Sequence, residues 1–337
     1  MDKKIDELIS KIEESRKSKV IAFVTADGPP PFKAKIATDI IPIFYKHLDK
    51  IKKTEKIDLF IYSSGGDIMA PWRLINLLRE YSPNIGVLIP YRALSAATMI
   101  ALGANEIVMG PLGELSPIDP NIATPFNPPH YDIPNEPKID ISVEDVFGYL
   151  NLAKEKLGIK ENSNIVNVLS KLVDRIHPLA IGAVYRTHSL IRLVATNLLS
   201  LHMTQEKDKK LIKKIIDDLI EKLFYHGYLI SRSEAKKLGL KVKFASEDFE
   251  KLLWELYLAF CCELKLDTPF NPLQLIPEGQ MSHKIEISIA CICSRNLQTK
   301  FLKQIEIIKI APPQGDAAPQ IRIQDNSLGW KDFINGD

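Results

Sequence analysis

Four short apolar runs, each followed or preceded by an amphipathic stretch, restrict what this chain can fold into. "KVIAFVT" (19–25), "KIDLFIY" (56–62), "NIGVLIP" (84–90) and "EIVM" (106–109) are strand-length and almost continuously apolar. Between them, residues 34–53, 68–81 and 95–102 repeat their apolar positions at helical spacing. A strand with no polar side must be covered on both faces, so this alternation predicts a mostly parallel sheet flanked by helices. The charged, helix-periodic opening "MDKKIDELISKIEESRKSK" predicts a separate N-terminal helix over 1–18.

The texture changes after Gly110. Eight prolines between 110 and 138 exclude a helix or a central strand there and predict a loop that can act as a lid. Helices are predicted next over 142–158, which opens on a Ser-x-x-Asp cap, and over 178–203, 205–227 and 246–265. Strand-like pieces follow at 284–292 and 319–325, in an extension running from 246 to 337. The charged block at 204–222 reads as a solvated helix face supported by pairs four residues apart.

Charge argues against whole classes of partner. Lysine plus arginine (44) nearly balance aspartate plus glutamate (42), so no overall field favours nucleic acid. No apolar run reaches the ~18–20 residues that span a bilayer, and the N-terminus lacks a secretory pattern; a cytoplasmic protein is expected. Cys261–Cys262 and Cys291–Cys293 lack the Cys-x-x-Cys spacing of a zinc site, so free thiols are expected and no metal is predicted. No ATPase motif or other cofactor motif is present.

Two stretches carry chemistry. In "IYSSGGDI" a buried strand ends in Gly65-Gly66 and opens a helix, a turn that brings bare backbone N–H groups to a ligand. Neither phosphate-binding glycine pattern is met, which leaves an oxyanion hole as the stronger reading, with a phosphate cradle as the alternative. In "RALSAATMIALGANEIVMG", Ser95 heads an apolar helix between small residues. It reads either as a nucleophile whose neighbour Ala96 supplies an oxyanion N–H, or as a helix N-cap.

These stretches together resemble the Clp protease and crotonase superfamily, and within it the serine dehydrogenase proteinase family. "IDLFIYSSGGDI", "ALSAATMIALGANEIVMGPLGELSPIDP", "HPLAIGAVYR" and "LFYHGYLISRSEAKKLGL" are similar to its blocks in its order. Ser64 stands where many relatives have proline, and Ala97 where glycine often follows the serine. The resemblance implies an α/β Clp protease/crotonase-like βαβ spiral core over 19–245, with added C-terminal helices and a small strand-containing tail. It implies a cytoplasmic serine peptidase that cleaves peptides or unfolded protein through an acyl-enzyme on Ser95, assembled as a homo-oligomer. Gly65, Gly66 and Ala96 would be its oxyanion donors. A crotonase-like acyl-thioester enzyme and a silent peptide-binding scaffold are the alternatives.

The base is the open position. The region where Clp peptidases carry their histidine reads "ELSPIDPN" here and has none. Related membrane-associated peptidases use a lysine, and the segment before their next helix resembles "EPKIDISVEDVFGYL", which nominates Lys138. His130, His177 and His226 are the alternative bases, and Asp119 is read as capping or orienting the loop.

Overall fold

The computed structural model describes residues 3–119, 121–129, 138–222, 227–310 and 320–334. In chain order, α1 (Lys3–Arg16), β1 (Lys19–Thr25), α2 (Ile40–Ile51), β2 (Lys56–Tyr62), α3 (Ala70–Tyr81) and β3 (Asn84–Ile89) lead to the short β4 (Arg92–Ala93) and α4 (Ala96–Leu102). Next come β5 (Glu106–Met109), three two-residue strands, β6 (Glu114–Leu115), β7 (Asn121–Ile122) and β8 (Ile141–Ser142), and the helices α5 (Val143–Asn151), α6 (Asn162–Val173), α7 (Pro178–Ser200) and α8 (Asp208–Asp217). The chain closes with β9 (Ile230–Ser231), α9 (Arg232–Leu238), β10 (Val242–Phe244), α10 (Glu247–Leu264), β11 (Ser282–Ser294), β12 (Leu297–Ile310) and β13 (Gln320–Ile334).

One eight-stranded sheet organises the molecule, in the order β10-β5-β3-β2-β1-β11-β12-β13. The five strands from β10 to β1 are parallel, as the continuous apolar runs predict, and β1 then pairs antiparallel with β11, Phe23 opposite Ile292. Alternate residues of β1 enter different cores. Ile21 and Phe23 face α2, α3, α4 and α7, while Val20, Ala22 and Val24 face α1 and α10. Two helices far apart in sequence, one before β1 and one after β10, therefore cover one face of the sheet. Asp58, fully buried in β2, is tolerated because Arg16 (2.9 Å) and Ser18 (2.8 Å) donate to its carboxylate.

The mixed α/β architecture is as expected, and the boundaries differ in instructive places. The strand-containing tail comprises three strands of 13, 14 and 15 residues, of which β12 was not predicted. Its mixed pattern of lysine and isoleucine hides a strand whose partners lie on both sides. The predicted 142–158 helix becomes π-helical after Asn151, and α6 was also not predicted: its apolar residues line an amphipathic face of which none is buried. The Ser142 cap forms as its spacing implies, with Asp145 N–H donating to Ser142 Oγ at 3.1 Å. A small separate core gathers Ile122, Ile141, Val143, Val146, Ala180 and Val184. No described helix is long and apolar enough to cross a membrane, and the four cysteines are free thiols.

Candidate active site

Past the end of β2, the chain runs through Ser63, whose N–H donates to Arg92 O (3.0 Å) and whose carbonyl accepts from Leu94 N–H (3.0 Å). This bridge carries the Gly-Gly turn to the loop that holds Ser95. Gly65 adopts φ 103°, a conformation that side chains resist, and a Cβ there would lie 2.7 Å from Ser95 Cβ and 3.2 Å from Ala96 N. Gly66 is equally constrained, because its Cβ would sit 2.0 Å from Ile36 O. Ile36 N–H donates to Gly65 O (2.9 Å) and Asp67 N–H to Ile36 O (2.8 Å), so the turn is clamped from its outer side.

Sequence proximity cannot tell the two glycine donors apart, but their hydrogen bonds do. Gly65 N–H is spent on Ser63 Oγ at 3.1 Å, and Ser63 Oγ also accepts from Thr25 Oγ1 at 2.8 Å. Among the described residues, neither Gly66 N–H nor Ala96 N–H has an acceptor.

Ser95 stands at the N-terminus of α4 with φ 52° and ψ −112°, a strained backbone for a residue with a side chain, costing ~1–3 kcal/mol. It occupies the N-cap position, yet its side chain makes no capping bond. The strain is held by fixed partners: Ser95 N–H donates to Ser116 Oγ (2.8 Å), Ser116 Oγ donates to Pro117 O (2.9 Å), and Ser116 N–H donates to Thr98 Oγ1 (3.1 Å). Ser116 was not singled out from the sequence. It lies in the "ELSPIDP" block, where the sequence points to the missing histidine and to Asp119.

Of the nominated bases, Lys138 and His177 are engaged by local partners. Lys138 is exposed and its ammonium donates to the Pro125 carbonyl, with Ile139 beside it 40% exposed. His177 caps α7, its Nδ1 accepting from Leu179 N–H (3.2 Å) while its ring stacks on Phe126 at 4.8 Å. His130 and His226 lie outside the described residues. No group of three or more metal-binding side chains occurs among the described residues.

Comparison with known proteins bears on this corner. Residues 1–135 match the ClpP-like SDH-type serine proteinase family. The SDH-type match includes Gly65, Gly66, Ser95, Ala96 and Ser116 and stops short of Lys138. The chain is also 27% identical over 205 residues to the uncharacterized protein MJ0137 of Methanocaldococcus jannaschii, covering 61% of this chain and 59% of that one. It is 33% identical over 123 residues to MJ1495 of the same organism, covering 34% and 41%. The chain thus spans little more than half the length of one of these relatives and less than half of the other. Among solved structures, a mutant of the 1510-N membrane-bound stomatin-specific protease is similar over 66% of this chain and 79% of its own, with 15% identity and a TM-score of 0.37.

Proposed function

We propose that the chain is a serine peptidase that acts through an acyl-enzyme on Ser95. The observation that carries this is the contact of Gly65 with Ser95 and Ala96, around a serine whose hydroxyl is left out of the helix cap. In this reading Ser95 Oγ attacks a peptide carbonyl and its proton passes to a base. The negative charge then gathers on the former carbonyl oxygen. Gly66 and Ala96 N–H groups stabilise that oxygen, each preorganised donor being worth roughly 3–4 kcal/mol. Gly65 shapes the corner and does not donate. Collapse of the intermediate expels the amine, and water later attacks the ester to release the acid and restore Ser95.

Lys138 remains the base in this proposal through a Ser-Lys dyad. That role requires Lys138 to sit beside Ser95 in a desolvated setting. Peptide or unfolded protein segments are the proposed substrates, and the reducing cytoplasm, where four free thiols persist, the proposed location. A homo-oligomer is proposed on the exposed apolar residues of the 143–185 helices, including Leu157 (67%), Val166 (59%) and Tyr185 (66%). Intact-mass analysis after treatment with a fluorophosphonate tests the central claim: one adduct on Ser95 is expected, and none would overturn it.

A further inference from the structure

The connection from β1 to α2 pairs on one side only. Ala34 N–H donates to Ala26 O (2.9 Å) and Ile36 N–H to Gly65 O (2.9 Å), so these alternate residues hold the segment to the end of β1 and to the Gly-Gly turn. Among the described residues, the N–H groups of Lys33, Lys35 and Ala37 have no acceptor, and the carbonyls of Lys33 and Lys35 have no donor. A segment bridged on one side, at Lys33 and Ile36, with the intervening groups unpaired offers an edge to another extended chain.

The same unpaired residues line a cavity of about 270 Å³. Phe23 of β1, Ile289 of β11, Phe301 of β12, Trp330 of β13 and Ile40 of α2 give it an apolar lining. A dry cavity of ~150 Å³ already takes a benzene ring, so this one has room for an aromatic side chain. Lys33, Lys35 and Lys303 line both this cavity and a neighbouring depression of about 420 Å³ that Pro30, Pro31 and Ile323 help to form. The two make one cleft with cations where they join.

The acidic residues of the cleft are already engaged. Asp39 accepts from Trp330 Nε1–H (2.8 Å), and Asp325 pairs with Lys303 (2.7 Å). No ion pair reaches Lys33 or Lys35 among the described residues. Two unpaired cations beside an apolar cavity select a carboxylate that is joined to a large apolar group.

We propose that this cleft binds the carboxyl-terminal end of a peptide. The last, large apolar side chain enters the cavity, the α-carboxylate meets Lys33 and Lys35, and the preceding backbone pairs with the free edge of residues 33–37. The choice of a peptide rests on the peptidase reading, whose substrates and products both carry such an end, and on the free edge, which an alkyl chain would leave unpaired. The cleft shares walls with the Gly-Gly turn: Ile36, between Lys35 and Ala37, clamps Gly66, and the lining residue Thr25 donates to Ser63 Oγ.

The test uses the full chain with Ser95→Ala, which prevents turnover of the ligand. It is titrated with an acetylated tetrapeptide of alanines ending in phenylalanine, as the free acid and as the amide, and binding is read by calorimetry and by tryptophan fluorescence. The acid should bind saturably and the amide at least about tenfold more weakly, as the loss of a charge-assisted contact implies. Lys33→Glu combined with Lys35→Glu changes two exposed positions and should weaken the acid by about tenfold or more while leaving the amide unchanged. Of the three tryptophans, Trp330 is the one that lines the cleft, so Trp330→Phe should remove the fluorescence response.

No saturable binding of the acid, equal affinity for acid and amide, an unchanged affinity in the double variant, or a fluorescence response that survives Trp330→Phe would each overturn the site. Decanoate binding as tightly as the acid would overturn the peptide, because it has no backbone to offer the free edge. Binding of the acid with no fluorophosphonate labelling of Ser95 in the wild type overturns the peptidase reading alone.

Discussion

At Gly66 one added carbon would meet the Ile36 carbonyl oxygen at 2.0 Å, whereas Lys138 is an exposed residue whose ammonium donates to the Pro125 carbonyl. The first region is a corner clamped from its outer side by the backbone of Ile36. Thr25 and Gly65 donate there to Ser63 Oγ at 2.8 and 3.1 Å, and Ser95 N–H separately to Ser116 Oγ at 2.8 Å. The second is an exposed lysine beside the exposed Ile139. Preorganised donors belong in the first kind of place, because they must not reorient when charge appears. A lysine base needs the dry surroundings that the second does not supply in this conformation.

Substitutions can break that contrast. Ser95→Ala should lower peptide hydrolysis by roughly 10⁴-fold or more and abolish fluorophosphonate labelling, while the melting temperature holds, since one oxygen is removed beside existing alanines. Labelling that survives in the variant would detach the chemistry from the corner. Gly66→Ala should follow, destabilising the protein by about 3 kcal/mol in urea denaturation and slowing labelling on the order of 10²-fold, because the obstruction is backbone and cannot rotate away. A stable, fully labelled Gly66→Ala protein would show the corner to be looser than its distances imply.

Lys138→Ala sharpens the comparison from the other side. Under the dyad proposal it slows acylation of Ser95 by roughly 10²-fold or more with no change in urea stability. Labelling at the wild-type rate would remove Lys138 from the mechanism. The smallest effect belongs to Ser116→Ala, which takes away the acceptor of Ser95 N–H. One neutral hydrogen bond of ~1–1.5 kcal/mol corresponds to about a tenfold loss of labelling rate; an unchanged rate would mean that α4 alone sets the Ser95 backbone.

Much of the site was legible because its parts are local. Gly65-Gly66 announces a turn that side chains cannot make, and Ser95 between small residues announces a crowded helix start. The donors could not be ranked that way. Whether Gly65 or Gly66 keeps its N–H free depends on Ser63 Oγ and Ile36, which only the folded turn brings together. Ser116 was missed for the same reason: a serine in a loop has no periodicity to betray its partner.

The sequence by itself determined the alternation of apolar strands and amphipathic helices, the parallel core that follows from it, and the Ser142 cap, since periodicity and capping act within a few residues of the chain. Only the tertiary structure decided that β11, β12 and β13 extend the same sheet from the far side of β1, that α1 and α10 share one face, and that Asp119 lies against Glu144. Those outcomes depend on which distant groups are desolvated together. Burial and long-range pairing are properties of the assembled fold, and no window of the sequence contains both partners.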